Sequence, residues 1–324
     1  MKTKDLFFAF LGIVISIFLI YLTFSKINTS LFIAHLSKIN ILFTPLFFLS
    51  TFSEILFRTI KWYLILRVFA YVEIKKLFKF EVIALGINNI LPLRMGELSK
   101  MMLISKYYQI SKTTALSTVF IERLIDSLIL FLILISYSIF GGINLQFIDK
   151  KNAFYITTSI IIFIYLFFVY SEKITQNSLK KFEKRYPHIH SLFIKIRNGG
   201  VCFKNPLLTL LIIITGIIQW NFDVLNNYII AKALSIQAID FSKAAITVVV
   251  GSLSASIPSM PGYFGNYEYA ISRLCILWGI DKELSVLFPT LIHIITYIIL
   301  TFTAMIFIYT EEINLKNLIN SKGK

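Results

Sequence analysis

Apolar residues run along this chain in stretches of about 18–25, without the strict alternation of a half-buried strand. About 20 such residues carry a helix across a hydrocarbon core about 30 Å thick. The pattern predicts spanning helices over roughly 6–24, 40–57, 114–140, 154–170, 207–230 and 285–310. Two further apolar segments, about 77–91 and 241–257, are shorter. Each runs into a proline–glycine break, "LPLRMG" or "IPSMPGYFG", and reads as a half-helix or re-entrant hairpin. The expected fold class is all-α: a polytopic helical membrane protein with about six full spans plus two broken segments, in one transmembrane domain over 1–324.

Composition supports this and adds an orientation. Hydrophobic residues make up 57% and charged ones 15%, yet the formal net charge is +15. Segments 1–5, 58–112, 171–205 and 311–324 hold 23 of the 32 Lys and Arg, and the segments expected opposite hold eight. By the positive-inside rule both termini are cytoplasmic, in the cell (inner) membrane. Lys2 and Lys4 ahead of an apolar run resemble a signal peptide, but the run is long and no small-x-small site follows, so it reads as an uncleaved first span. The basic loop 171–205 would lie on anionic inner-leaflet phospholipids, which makes a nucleic-acid partner unnecessary. Cys202 and Cys275 are far apart, and His188 and His190 lack companion ligands, so neither a disulfide framework nor a metal site is expected. No P-loop, nucleophile elbow or metal-spaced motif occurs, and no cofactor is expected.

The two short segments head similar runs: apolar helix, proline break, glutamate, polar turn, long helix. Glu97 corresponds to Glu268, and the helix of Glu122 and Asp126 to that of His293 and Tyr297. Halves of about 40–170 and 207–310 would form an inverted repeat if the breaks enter from opposite sides, an arrangement that places a substrate near the midplane.

"ERLID" sets Glu122, Arg123 and Asp126 inside an apolar helix. Each intramembrane charge costs about 2.5–3.5 kcal/mol on insertion scales, so the three need partners or water. They read either as an ion-pair cluster locking two helices or as a polar wall of a substrate path. Arg94 and Glu97 are the expected partners. Pro92 and Gly96 break the backbone beside Arg94, and an arginine at a helix start suits a phosphate; snorkelling to headgroups is the other reading. Pro258, Pro261, Gly262 and Gly265 preclude regular helix at the second break, before Glu268. His293 and Tyr297 share a face of the last helix. Asp223, and Glu54 with Arg58, read as cavity lining or as ordinary interhelix bonding.

These motifs resemble the lysylphosphatidylglycerol synthase transmembrane-region family, of flippase-like membrane proteins. Its LP-x-R-x-GE stretch appears as Pro92, Arg94, Gly96 and Glu97, and its ER-x-x-D helix as Glu122, Arg123 and Asp126. Its late Pro-Gly-x-x-G-x-x-E stretch appears as Pro261, Gly262, Gly265 and Glu268. His293 stands where the family often has an arginine. The resemblance implies the translocase part alone, without the aminoacyl-transferase domain that makes aminoacylated phosphatidylglycerol. The implied activity is non-enzymatic transport of a phosphate-bearing lipid or polyprenyl carrier. Arg94 and Arg123 would contact the phosphate, with Glu97, Glu122, Asp126 and Glu268 balancing them or holding a cationic headgroup. A solute transporter, or a non-transporting membrane partner of an envelope-glycan or lipid-modifying enzyme, are the alternatives.

Overall fold

A computed structural model describes residues 3–91, 94–141, 199–257 and 259–313, with isolated positions between 152 and 166. The expected span 154–170 and basic loop 171–205 fall mostly outside the described residues, as do Pro92 and Pro258. Ten α-helices are described: α1 (Thr3–Phe24), α2 (Thr29–Ser37), α3 (Thr44–Leu66), α4 (Ile74–Ile90), α5 (Met95–Tyr108), α6 (Lys112–Phe140), α7 (Pro206–Ala233), α8 (Phe241–Ser254), α9 (Asn266–Leu277) and α10 (Lys282–Thr310). The protein is all-helical, with no strand among the described residues. The helix starts are set locally. Asn205 caps α7 ahead of Pro206, and Ser111, Asp240 and Asp281 cap α6, α8 and α10.

By length and composition, three described helical stretches can cross a membrane: Ile41–Leu66, Pro206–Ala233 and Lys282–Thr310. The bent pair α1 and α2, at 84°, makes up to four. One expected boundary is wrong. The second span does not stop at 57, where Arg58 signals an interface, but runs as helix to Leu66. Arg58 and Lys61 are buried within it because carboxylates meet them there. With Lys100 also buried, three of the basic residues counted above as loop charge lie instead inside the helix packing.

The two broken segments are helical hairpins. α5 folds back along α4 so closely that a Cβ on Gly96 would lie 2.0 Å from the Ala84 carbonyl oxygen. α9 folds back on α8, with Gly251 against the Tyr267 ring. Each hairpin packs on the long helix of the other set: α4 on α10, and α8 on α6. α3 packs on α7 between them. The core follows these contacts, one apolar cluster centred on α3, α6, α7, α8 and α10 and a second on α3, α4 and α5.

α1 lies across the second break. Gly12 abuts the Ser259 backbone, and Gly265 abuts the Ser16 carbonyl. The buried Ser16 hydroxyl accepts the Met260 N–H at 2.9 Å. Ser16→Ala removes that acceptor, at a cost of about 1 kcal/mol. Hydrogen exchange at the Met260 amide is expected to speed up about fivefold; unchanged exchange would show that α1 does not hold the break.

Candidate functional site

Charged residues of four helices converge with two polar side chains of a fifth. Glu54, Arg58 and Lys61 recur at i, i+4 and i+7, on one side of α3. α4 brings Glu81, α5 Glu97 and Lys100, α6 Glu122, Arg123 and Asp126, and α7 Gln219 and Trp220. Lys61 is fully buried, ion-paired to Asp126, and donates to Gln219 Oε1 at 2.6 Å. Trp220 Nε1–H donates to the same Asp126 oxygen at 3.0 Å. Lys100 lies 2.6 Å from both Glu81 Oε2 and Glu122 Oε2, its ammonium 4.1 Å from the Trp62 ring centre. Arg58 joins Glu54 and Glu81 at 3.7 and 3.8 Å. Arg123 touches Glu97, Glu122 and Asp126 at 3.3–3.5 Å.

The arrangement is an interior ion network with a graded edge. Lys61, Lys100, Glu81 and Glu122 are sealed, whereas the Arg123 and Glu97 side chains are 31% and 21% exposed. Sealed ions keep their charge only with partners, since an unpaired one costs several kcal/mol. The sealed part therefore suits holding helices together, and the open edge suits a transient ligand.

Arg94 behaves differently from its neighbours. Its backbone is left-handed, φ 52° and ψ 44°, a conformation that costs a non-glycine residue about 1 kcal/mol or more. It does not join Glu97 at α6, as the sequence suggested. Its guanidinium donates to the Ala255 carbonyl at 3.0 Å and the Ser256 hydroxyl at 3.5 Å, and stands 5.6 Å from the Tyr263 ring centre. The first break thus reaches the second, and Arg94 makes no ion pair among the described residues. Asn88 steadies this corner, its Oδ1 accepting the Gly96 N–H at 2.7 Å.

At the second break, Pro261, Gly262 and Tyr263 form one turn of 3₁₀ helix, and Gly262 and Gly265 take φ of 73° and 89°. A Cβ on Gly262 would strike the Tyr297 ring, and one on Gly265 the Ser16 carbonyl, so both need glycine for space as well as for φ. Glu268 Oε2 accepts the Gly265 N–H at 2.7 Å, and its Oε1 faces His293 Nδ1 at 2.5 Å. The His293 ring stacks on Phe264, which also touches Tyr297. Asn89 of α4 donates to the Tyr297 carbonyl at 3.3 Å, tying the first hairpin to the same helix.

The sequence singled out the α6 charges and both breaks but missed Lys61, Lys100, Glu81, Gln219 and Trp220. A signal was present: Glu54, Arg58 and Lys61 at helical spacing within an apolar run. Among the described residues no group of His, Cys, Asp or Glu is placed to hold a metal. Cys202 and Cys275 are buried free thiols.

A bundle of apolar helices with two broken hairpins and an interior ion network defines an integral membrane protein of the polytopic helical class. The chain belongs to the family described as the lysylphosphatidylglycerol synthase transmembrane region, which it matches over residues 9–304. It is 26% identical over 239 residues to a UPF0104 membrane protein of Methanocaldococcus jannaschii, covering 73% of this chain and 99% of that one. No solved structure matches it.

Proposed function

We propose that this protein is a lipid translocase of the flippase or scramblase type. It would pass a phosphate-bearing lipid or polyprenyl carrier between leaflets along the polar ground at the two breaks, the tails remaining in the bilayer. Both termini would be cytoplasmic, with the basic loop 171–205 on anionic lipid. The observation that carries the reading is Arg94: a strained backbone holds a cation, free of carboxylate partners among the described residues, between the two hairpins. A phosphate can exchange with the Ala255 carbonyl as a partner of its fork. Arg123 is already surrounded by three carboxylates, so the phosphate falls to Arg94, while Glu97 and Arg123 line the open edge. Two halves that exchange hairpins could open alternately.

The test is reconstitution in liposomes with labelled phospholipids and Arg94→Gly. Glycine suits the left-handed conformation, so this variant should fold as well as the parent or better. Its lipid movement should fall at least tenfold, as expected for losing a charged hydrogen bond of about 1.5–3 kcal/mol. Movement equal to the parent would remove Arg94 from the path.

A second reading has its own observation. Lys61 and Lys100 are sealed and fully engaged, as expected of a scaffold that docks a lipid-modifying enzyme and moves nothing itself. Absence of movement across phospholipid and polyprenyl-phosphate panels would favour it. Movement of a soluble phosphate instead would mark a solute transporter.

A further inference from the structure

The two hairpins present pairs of one form and different chemistry. Glu97 is the third residue of α5, and Glu268 the third of α9. Arg123 and His293 each stand eleven residues beyond the first residue of the long helix that follows. Glu97 meets Arg123 at 3.4 Å, and Glu268 meets His293 at 2.5 Å. A guanidinium stays charged throughout. An imidazole is the side chain that changes charge between about pH 5 and 8.

The geometry confines that change to one atom. Glu268 Oε2 accepts the Gly265 N–H, and Oε1, the other oxygen of the carboxylate, faces His293 Nδ1 and accepts from it when Glu268 is ionised. Opposite an ionised Glu268, His293 Nδ1 carries hydrogen in both the neutral and the charged ring. Exchange is left to Nε2, which has no hydrogen-bond partner among the described residues. The ring cannot swing away, since Phe264 stacks on it at 4.5 Å and Tyr267 lies against it at 5.1 Å. About a tenth of the His293 side chain is open.

Other titratable and polar groups face the same region. α9 brings Glu268 and Tyr267, and the 3₁₀ turn brings Tyr263, which faces Arg94. α7 brings Asp223, which acts on Tyr267. α4 brings the neutral Asn89, bonded to the Tyr297 carbonyl and Thr301. α10 itself adds Tyr297. No lysine or arginine pairs with Glu268 among the described residues.

We infer that Glu268 and His293 form a proton-binding site that sets the charge of the second break, while Glu97 and Arg123 hold the first break constant. With Nε2 bare, the pair carries −1. A proton from water adds to the Nε2 lone pair and brings it to zero. The uncompensated carboxylate draws water into the break, so the break is wetter at high pH. The proton site stands on this geometry; its effect on headgroup passage rests on the translocase reading.

The experiment is ¹⁵N NMR of histidine-labelled full-length protein in nanodiscs, the His293 signals being identified by their loss in His293→Asn. Nδ1 should stay protonated while Nε2 gains its proton as the pH falls. An Nε2 that keeps one state throughout, or a proton found on Nε2 and not Nδ1 at high pH, overturns the inference. In a second arm, Ser256→Cys is labelled with a membrane-impermeant thiol reagent, in parallel with the same variant carrying His293→Arg. The ratio of the two rates should rise severalfold from about pH 5.5 to about pH 8. A flat ratio would overturn the link between proton and break. Neither arm measures transport, so a failed liposome assay leaves the proton site standing, and the reverse also holds.

Discussion

Lys61→Met is expected to be the most damaging substitution in the protein. It strips the buried Asp126 carboxylate of its ammonium partner and leaves Gln219 Oε1 without its donor. Breaking a buried pair from one side costs about 3–5 kcal/mol, because the remaining charge stays in an apolar interior. Folded domains hold only about 5–15 kcal/mol in reserve, so most of the protein should be lost from the monodisperse fraction in detergent. The thermal midpoint should drop sharply. Lys61→Met with Asp126→Asn should recover much of the loss, since the network regains its balance of charge while the Trp220 N–H keeps an acceptor. A single variant as stable as the parent would mean that this pair does not hold α3 against α6. The double variant separates a charge penalty from simple loss of packing.

Gly96→Ala should be nearly as harmful, for a steric reason. The added methyl would sit 2.0 Å from the Ala84 backbone oxygen and 2.6 Å from Asn88 Oδ1. A backbone atom cannot rotate aside, so α5 must lift off α4. That breaks the Asn88–Gly96 bond and carries Glu97 away from Arg123. Overpacking costs about 1–3 kcal/mol and occasionally more, and the lost buried bond adds about 1 kcal/mol. A fall in thermal midpoint together with loss of lipid movement is expected. Tolerance of alanine with full stability would show that the hairpin is looser than described.

The sequence made the breaks legible because prolines and glycines act locally. "LPLRMG" and "IPSMPGYFG" end their helices whatever surrounds them, and α4 and α8 stop close to where the apolar runs do. Arg94 was legible as a candidate but not in its direction. Its side chain bridges to Ala255, 161 positions away, and no local pattern carries that pairing. The extension of α3 was missed for a related reason. Arg58 and Lys61 look like the charged end of a span when their partners are unknown. Lys61 finds Asp126 and Gln219 at separations of 65 and 158 residues.

By itself, then, the order of apolar runs and breakers determined an all-helical membrane protein with two interrupted segments, each followed by a glutamate and a long helix. Helix formation and termination depend on residues within a turn or two, which any chain displays in order. Only the tertiary structure decided which charges are sealed, which reach an open edge, and that one glutamate meets an arginine while its counterpart meets a histidine. Those outcomes depend on partners brought together by packing, because a buried charge is stable only where another element supplies its opposite.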